Sequence, residues 1–192
     1  MNKFKLSLGF ILLAPLFSST ALADDYLITE SEARRLPPFC LGLSIGNFEI
    51  KAQVLRQDIP VPGRDASHFC HGMKSIIRGD RGDKKGYEDA VKEFEYIQGR
   101  SATISENELL DSASLYKAEA LGKLGKTGPA LQEYNKAIQL NPYYHQAYGR
   151  LADFYLKLGK KQEALDTVNT GLKYSPNSKG LRKRLQKLTA EK

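Results

Sequence analysis

Gly125-Lys126-Thr127-Gly128-Pro129-Ala130-Leu131-Gln132-Glu133-Tyr134 runs on to Asn141-Pro142, and Gly159-Lys160-Lys161-Gln162-Glu163-Ala164-Leu165-Asp166-Thr167-Val168 runs on to Ser175-Pro176. Laid over one another, Gly125, Ala130, Tyr134, Ala137 and Pro142 fall on Gly159, Ala164, Val168, Gly171 and Pro176, each 34 residues later. Within each copy the apolar residues recur at three- and four-residue spacing, which collects them on one face of an α-helix. The Gly ahead of that helix marks a turn, and the Pro behind it stops it. A fixed period of this length predicts an array in which each helical hairpin stacks on the next.

Working outward, each of these helices has a partner before its Gly. Tyr148, Leu151, Ala152 and Tyr155 share one face ahead of Gly159. Leu109, Leu110, Ala113, Leu115, Tyr116, Ala118 and Leu121 precede Gly125, and Ser105 with Glu108 three residues on reads as a capping box that opens this helix. Further back, Phe69, Cys70, Met73, Ile76 and Ile77 predict one helix, and Tyr87, Ala90, Val91, Phe94 and Ile97 another across the charged turn Gly79–Asp83. Residues 24–66 hold no sustained period. Ser31–Leu36 predicts one or two helical turns stopped by Pro37-Pro38, and Asn47–Gln57 alternates enough for a short strand or extended arm.

The 34-residue spacing and its small-large pattern resemble the tetratricopeptide repeat over residues 71–176, a little over half of the chain. The resemblance implies an all-α solenoid of about three repeats, a degenerate one at about 71–104 and others at 111–144 and 145–178. Ala130 and Ala164 would let paired helices approach closely, and Pro142 and Pro176 would end the second helices. Lys117 departs from the pattern where Leu is usual, with Leu115 placed to compensate. Repeat one lacks the terminal Pro and has a charged, Gly-rich turn. In this family the first helix of each repeat lines a groove for peptides or partner helices. By position that groove would draw on Ser112, Leu115, Glu119 and Lys123 of repeat two, and on Gln146, Gly149, Asp153, Leu156 and Lys157 of repeat three. The Lys-Asn set with which some members clamp a terminal carboxylate is absent. The implied role is a non-catalytic adaptor or assembly factor that holds an extended or helical segment of another envelope protein.

The start of the chain carries an address. Met1–Lys5 is basic, Leu6–Phe17 is apolar, and Ala21-Leu22-Ala23 is a small-x-small cleavage site, which together predict a secretory signal removed after residue 23. No Cys follows the apolar core to take a lipid, and no run reaches the roughly 18 apolar residues of a spanning helix. The expected location is the periplasm.

The chain has 192 residues and a net charge of +7. Loss of Lys3 and Lys5 with the signal leaves +5, and residues 178–192 alone carry +5 through Lys179, Arg182, Lys183, Arg184, Lys187 and Lys192 against Glu191. The rest is formally neutral, so an anionic partner belongs at that tail. Leu181, Leu185 and Leu188 form a narrow stripe beside the basic face, as expected of a helix that caps the array. A second reading gives that basic face to an anionic envelope polymer or surface. Nothing points to nucleic acid.

Two Cys in an exported chain predict a disulfide, Cys40 to Cys70, which would staple the irregular arm to the first repeat helix. A competing reading makes His68, Cys70 and His71 metal or haem ligands, although Cys70 projects between the two His on a helix and no paired-Cys haem motif is present. Arg78-Gly79-Asp80 and Arg81-Gly82-Asp83 read as a solvated interhelix turn. The chain holds no Gly-rich phosphate loop, no Ser-His-Asp set and no carboxylate pair at catalytic spacing, so an enzyme is not expected, and neither a cofactor nor a metal.

Overall fold

The computed structural model describes residues 29–42, 62–63, 65–101, 103 and 107–190. The predicted signal (1–23), the alternating segment Asn47–Gln57 and Ser105 lie outside the described residues. Among the described residues there are helices and no strands: α1 (Glu30–Ala33), α2 (Pro38–Gly42), α3 (Ala66–Asp80), α4 (Lys84–Arg100), α5 (Leu110–Lys123), α6 (Thr127–Leu140), α7 (His145–Lys157), α8 (Lys161–Tyr174) and α9 (Lys179–Ala190). No described helix is long and apolar enough to cross a membrane.

The helices pair as α3–α4, α5–α6 and α7–α8, with α4 packed on α5, α6 on α7, and α9 on both α7 and α8. The turn glycines explain the hairpins. Gly125 (φ 76°) and Gly159 (φ 74°) are left-handed, a conformation that costs other residues a Cβ clash. Each ends its helix with a double bond pattern. The Lys126 N–H donates to the Leu121 carbonyl (2.9 Å) and that of Gly125 to Gly122 (3.1 Å); Lys160 and Gly159 repeat this on Tyr155 and Leu156. Gly82 (φ 108°) turns α3 into α4, where the Asp83 side chain accepts from the Lys85 N–H.

The core is three linked clusters. Phe69, Ile77, Phe94, Ile97 and Leu110 fill the first, Leu115, Tyr134, Leu151 and Phe154 the second, and Tyr148, Val168, Leu181 and Leu188 the third. Each hairpin leaves an apolar face that only the next covers, so the cap is obligatory. At one end α9 serves, with Leu181 1% exposed. At the other, α1 and α2 lie against α3 through Ala33, Leu36 and Phe39, and Cys40 is disulfide-bonded to Cys70 at a Cα–Cα distance of 5.4 Å. The predicted Pro stop is also a start, because Pro38 opens α2.

Three details depart from the sequence reading. The first hairpin begins at Ala66, not at about His71, and its two helices approach closest at Gly86, one turn before the buried small residue Ala90. A Cβ at Gly86 would lie 2.5 Å from both Gly79 N and Ser75 O, so α3 and α4 touch backbone to backbone at this point. The helix assigned to a Ser105 capping box starts only at Leu110, and its entry is fixed instead by Asn107, whose Oδ1 accepts from the Leu109 N–H at 2.9 Å. Leu115 does not stand in for Lys117: both are buried, and Lys117 pairs inside the array with Glu133 at 2.9 Å and Glu95 at 3.2 Å.

Candidate functional site

Helices α3, α5, α7 and α9 stand side by side and line a groove of about 830 Å³. Its floor holds Tyr134, Phe154, Ile76 and Leu181, and its walls hold charge. A buried ionic group requires a partner, and here the partners sit on neighbouring elements. Asp80 of α3 accepts from Arg35, from the Tyr87 hydroxyl at 2.7 Å and from Lys123 of α5 at 3.3 Å. Glu119 of α5 pairs with Arg150 of α7. Asp153 of α7 accepts two bonds, at 2.9 and 2.6 Å, from Arg184 of α9. Each odd-numbered helix from α3 to α9 is thus tied to the next by an ion pair across the groove.

Burial and pairing pull these groups in different directions. Burial pushes the Asp80 carboxyl up, but Arg35, Tyr87 and Lys123 together outweigh it and hold the group below its ordinary range. Burial and the bond to Asp80 raise the Tyr87 phenol to about 12. For Glu119 burial prevails over Arg150, and the carboxyl is raised. Lys157 faces the same groove with no carboxylate of the described residues within ion-pair distance.

The residues assigned to the groove by position divide. Glu119, Lys123, Gln146, Asp153 and Lys157 line it. Leu115 does not: it is fully buried in the second core cluster, because the face of α5 that carries it meets α6 and α7. Gly149 is buried beneath the Arg184 guanidinium, which would lie 3.2 Å from a Cβ at that position. Ser112 is half-buried and donates to Asp111 and to the Tyr144 hydroxyl rather than facing the groove. Leu156 is 41% exposed and lines a second cleft, between α7 and α9, with Lys183 and Lys187. Of the remaining basic-tail residues Arg184 is a groove residue, Lys179 is exposed, and Arg182 donates to the Asn177 carbonyl.

Sequence reasoning passed over Arg35, Asp80, Tyr87 and Arg150. The sequence pattern places Asp80 in a solvated tripeptide turn, but it ends α3 and is the most heavily bonded carboxylate of the groove; Arg78, from the same tripeptide, pairs with Asp83 and Asp89. The only available signal was their conjunction with a cationic position one repeat on, and a periodicity analysis does not weigh charge. The competing ligand set is also corrected. Cys70 is consumed by the disulfide, and His68 binds Glu93 through Nδ1 at 2.7 Å and stacks on Tyr96 at 3.9 Å. No group of three or more His, Cys, Asp or Glu side chains among the described residues is placed to hold a metal ion.

Residues 123–190 match the family model described as Tetratricopeptide repeat. The described helices form an all-helical, tetratricopeptide-like array of hairpins. A tetratricopeptide repeat protein 4 homolog from Dictyostelium discoideum is 27% identical over 104 residues, 53% of this chain and 25% of the relative, so the chain spans about a quarter of that relative's length. A thermophilic tetratricopeptide protein of Thermus thermophilus superposes with a TM-score of 0.57 at 17% identity, covering 66% of this chain and 64% of the other. The second tetratricopeptide domain of human RPAP3, solved in complex with the HSP70 peptide SGPTIEEVD, has a TM-score of 0.44 at 24% identity over 66% of this chain and 98% of that one. The superposition on the Thermus structure establishes the same fold.

Proposed function

We propose that this tetratricopeptide array is a non-catalytic scaffold of the cell envelope, exported by the signal at residues 1–23, that holds a segment of another protein in the groove between α3, α5, α7 and α9. The observation that carries the reading is the groove itself. It is about 830 Å³, open along one side, floored by aromatic and aliphatic side chains and walled by charges already positioned by partners on adjacent helices. Pre-positioned charge over an apolar floor recognises an extended or helical peptide at low ordering cost. The export reading is supported by the basic-apolar-small pattern of residues 1–23 and by the pairing of both cysteines, which suits an oxidising compartment.

A photoreactive residue at position 146, on the exposed rim, tests this in intact cells. The expected result is one discrete crosslinked protein, lost when Lys123→Glu and Lys157→Glu are introduced together. A probe at Gln139, an exposed position on α6 that does not line the groove, should give none. Equal labelling from both positions would refute the groove as the binding surface. Fractionation of the envelope, with the chain found outside it, would refute the location.

A further inference from the structure

The Arg184–Asp153 pair divides the concave side into the central groove and a second cleft of about 490 Å³ between α7 and α9. Leu156, 41% exposed, gives this cleft its apolar contact, with Ala152 and Leu188 buried behind it. Lys183 and Lys187, one turn apart on α9, stand along it. Its one lining carboxylate, Asp153, is already taken by both guanidinium bonds of Arg184. Neither Lys has a carboxylate of the described residues within 4.0 Å. The cleft therefore offers an exposed apolar contact beside two available positive charges, whereas the central groove has most of its charges paired.

We propose that the α7–α9 cleft binds an acidic segment of a partner protein, with an apolar side chain of that segment against Leu156 and its carboxylates on Lys183 and Lys187. The inference rests on the protein-binding reading above, but Leu156, Lys183 and Lys187 do not line the central groove, so the two can fail separately. A peptide is favoured over an anionic membrane surface because α9 has no apolar face left to insert. Leu181 and Leu188 are buried against the array, and Leu185 is packed there as well. A purely anionic polymer would leave Leu156 uncovered, while an apolar side chain between carboxylates satisfies both features at once.

Selection of a random 12-residue peptide library on the purified full chain tests the proposal. The expected consensus is a large apolar residue flanked by Asp or Glu. Its affinity should fall at least tenfold with Leu156→Ser, and at least tenfold with Lys183→Gln plus Lys187→Gln, while Lys123→Gln in the central groove changes it less than twofold. All of these positions are exposed, so circular dichroism should show each variant folded. A selection that yields no acidic consensus overturns the proposal, as does retention of binding by Leu156→Ser. Binding to phosphatidylglycerol vesicles that depends on the lysines but not on Leu156 reassigns the face to an anionic surface. Concentration-dependent dimerisation abolished by the same substitutions reassigns it to a second copy of the chain.

Discussion

Lys117 Nζ lies 2.9 Å from a Glu133 carboxylate oxygen, joining α5 to α6 at a position where the repeat pattern places Leu. Gln98 completes the arrangement, accepting from Lys117 at 3.0 Å and donating to Glu133 at 2.7 Å. A buried charge pair contributes little net stability, but removing one member leaves the other buried without its countercharge. Lys117→Leu should cost roughly 3 kcal/mol. Lys117→Leu with Glu133→Leu should return to within about 1 kcal/mol of the parent. Urea unfolding measures both alongside Glu133→Leu, and a double-variant loss equal to the sum of the two single losses would show that the charges are not coupled.

Gly86 makes the sharpest packing prediction. A methyl group there meets the α3 backbone at 2.5 Å, and backbone cannot swing aside as a side chain can. Gly86→Ala should destabilise by about 2–3 kcal/mol through overpacking. Gly99→Ala, on the same helix with nothing within 4 Å, should be neutral or stabilising by up to about 1 kcal/mol. Thermal unfolding of the two variants side by side gives the comparison.

The amino-terminal clasp should respond to acid. Glu32 is held by Arg81, with Nε donating at 2.6 Å, and by Thr29, and these bonds prevail over burial to hold its carboxyl at about 2 against an ordinary 4.5. A depressed carboxyl stabilises the fold above its unfolded value and loses that contribution as pH falls through the folded one. The difference in Tm between the parent and Glu32→Gln should therefore be full at neutral pH, shrink below about pH 4.5 and vanish near pH 2. A gap independent of pH would assign the effect to packing instead.

Replacing both cysteines by Ala removes a bridge that spans 30 residues of sequence. The chain-entropy estimate for such a loop is about 3–4 kcal/mol. The loss should appear in denaturant unfolding, together with protease cleavage within residues 34–42 that the parent resists. Unchanged stability would mean that Glu32–Arg81 and Phe39–Phe69 hold the segment without the bridge.

Much of the fold is legible because stacking imposes a period on Ala130, Tyr134 and their counterparts at Ala164 and Val168. The first hairpin is obscured for two physical reasons. Gly82 and Gly125 are 43 residues apart where Gly125 and Gly159 are 34 apart, since the connection from α4 to α5 is longer. The close approach also uses Gly86, which leaves no apolar signal. For the candidate site, position within the repeat located Glu119, Lys123, Asp153 and Lys157. It failed at Leu115, whose side of α5 is closed by α6 and α7, and at Gly149, whose cover comes from α9. The Arg35–Asp80 and Glu119–Arg150 pairs join residues 45 and 31 positions apart, and no local pattern encodes such distances.

The carboxy-terminal helix supplies charge and enclosure with the same residues. Leu181 rests on Gly171, where a Cβ would lie 2.9 Å from it, and Arg184 roofs Gly149. A chain ending at Ser178 would lose its basic face and, in the same stroke, uncover Tyr148, Val168 and the far wall of the groove. Truncation thus cannot distinguish an electrostatic role from an architectural one. Neutralising Lys183 and Lys187 in place, with the leucines kept, separates them.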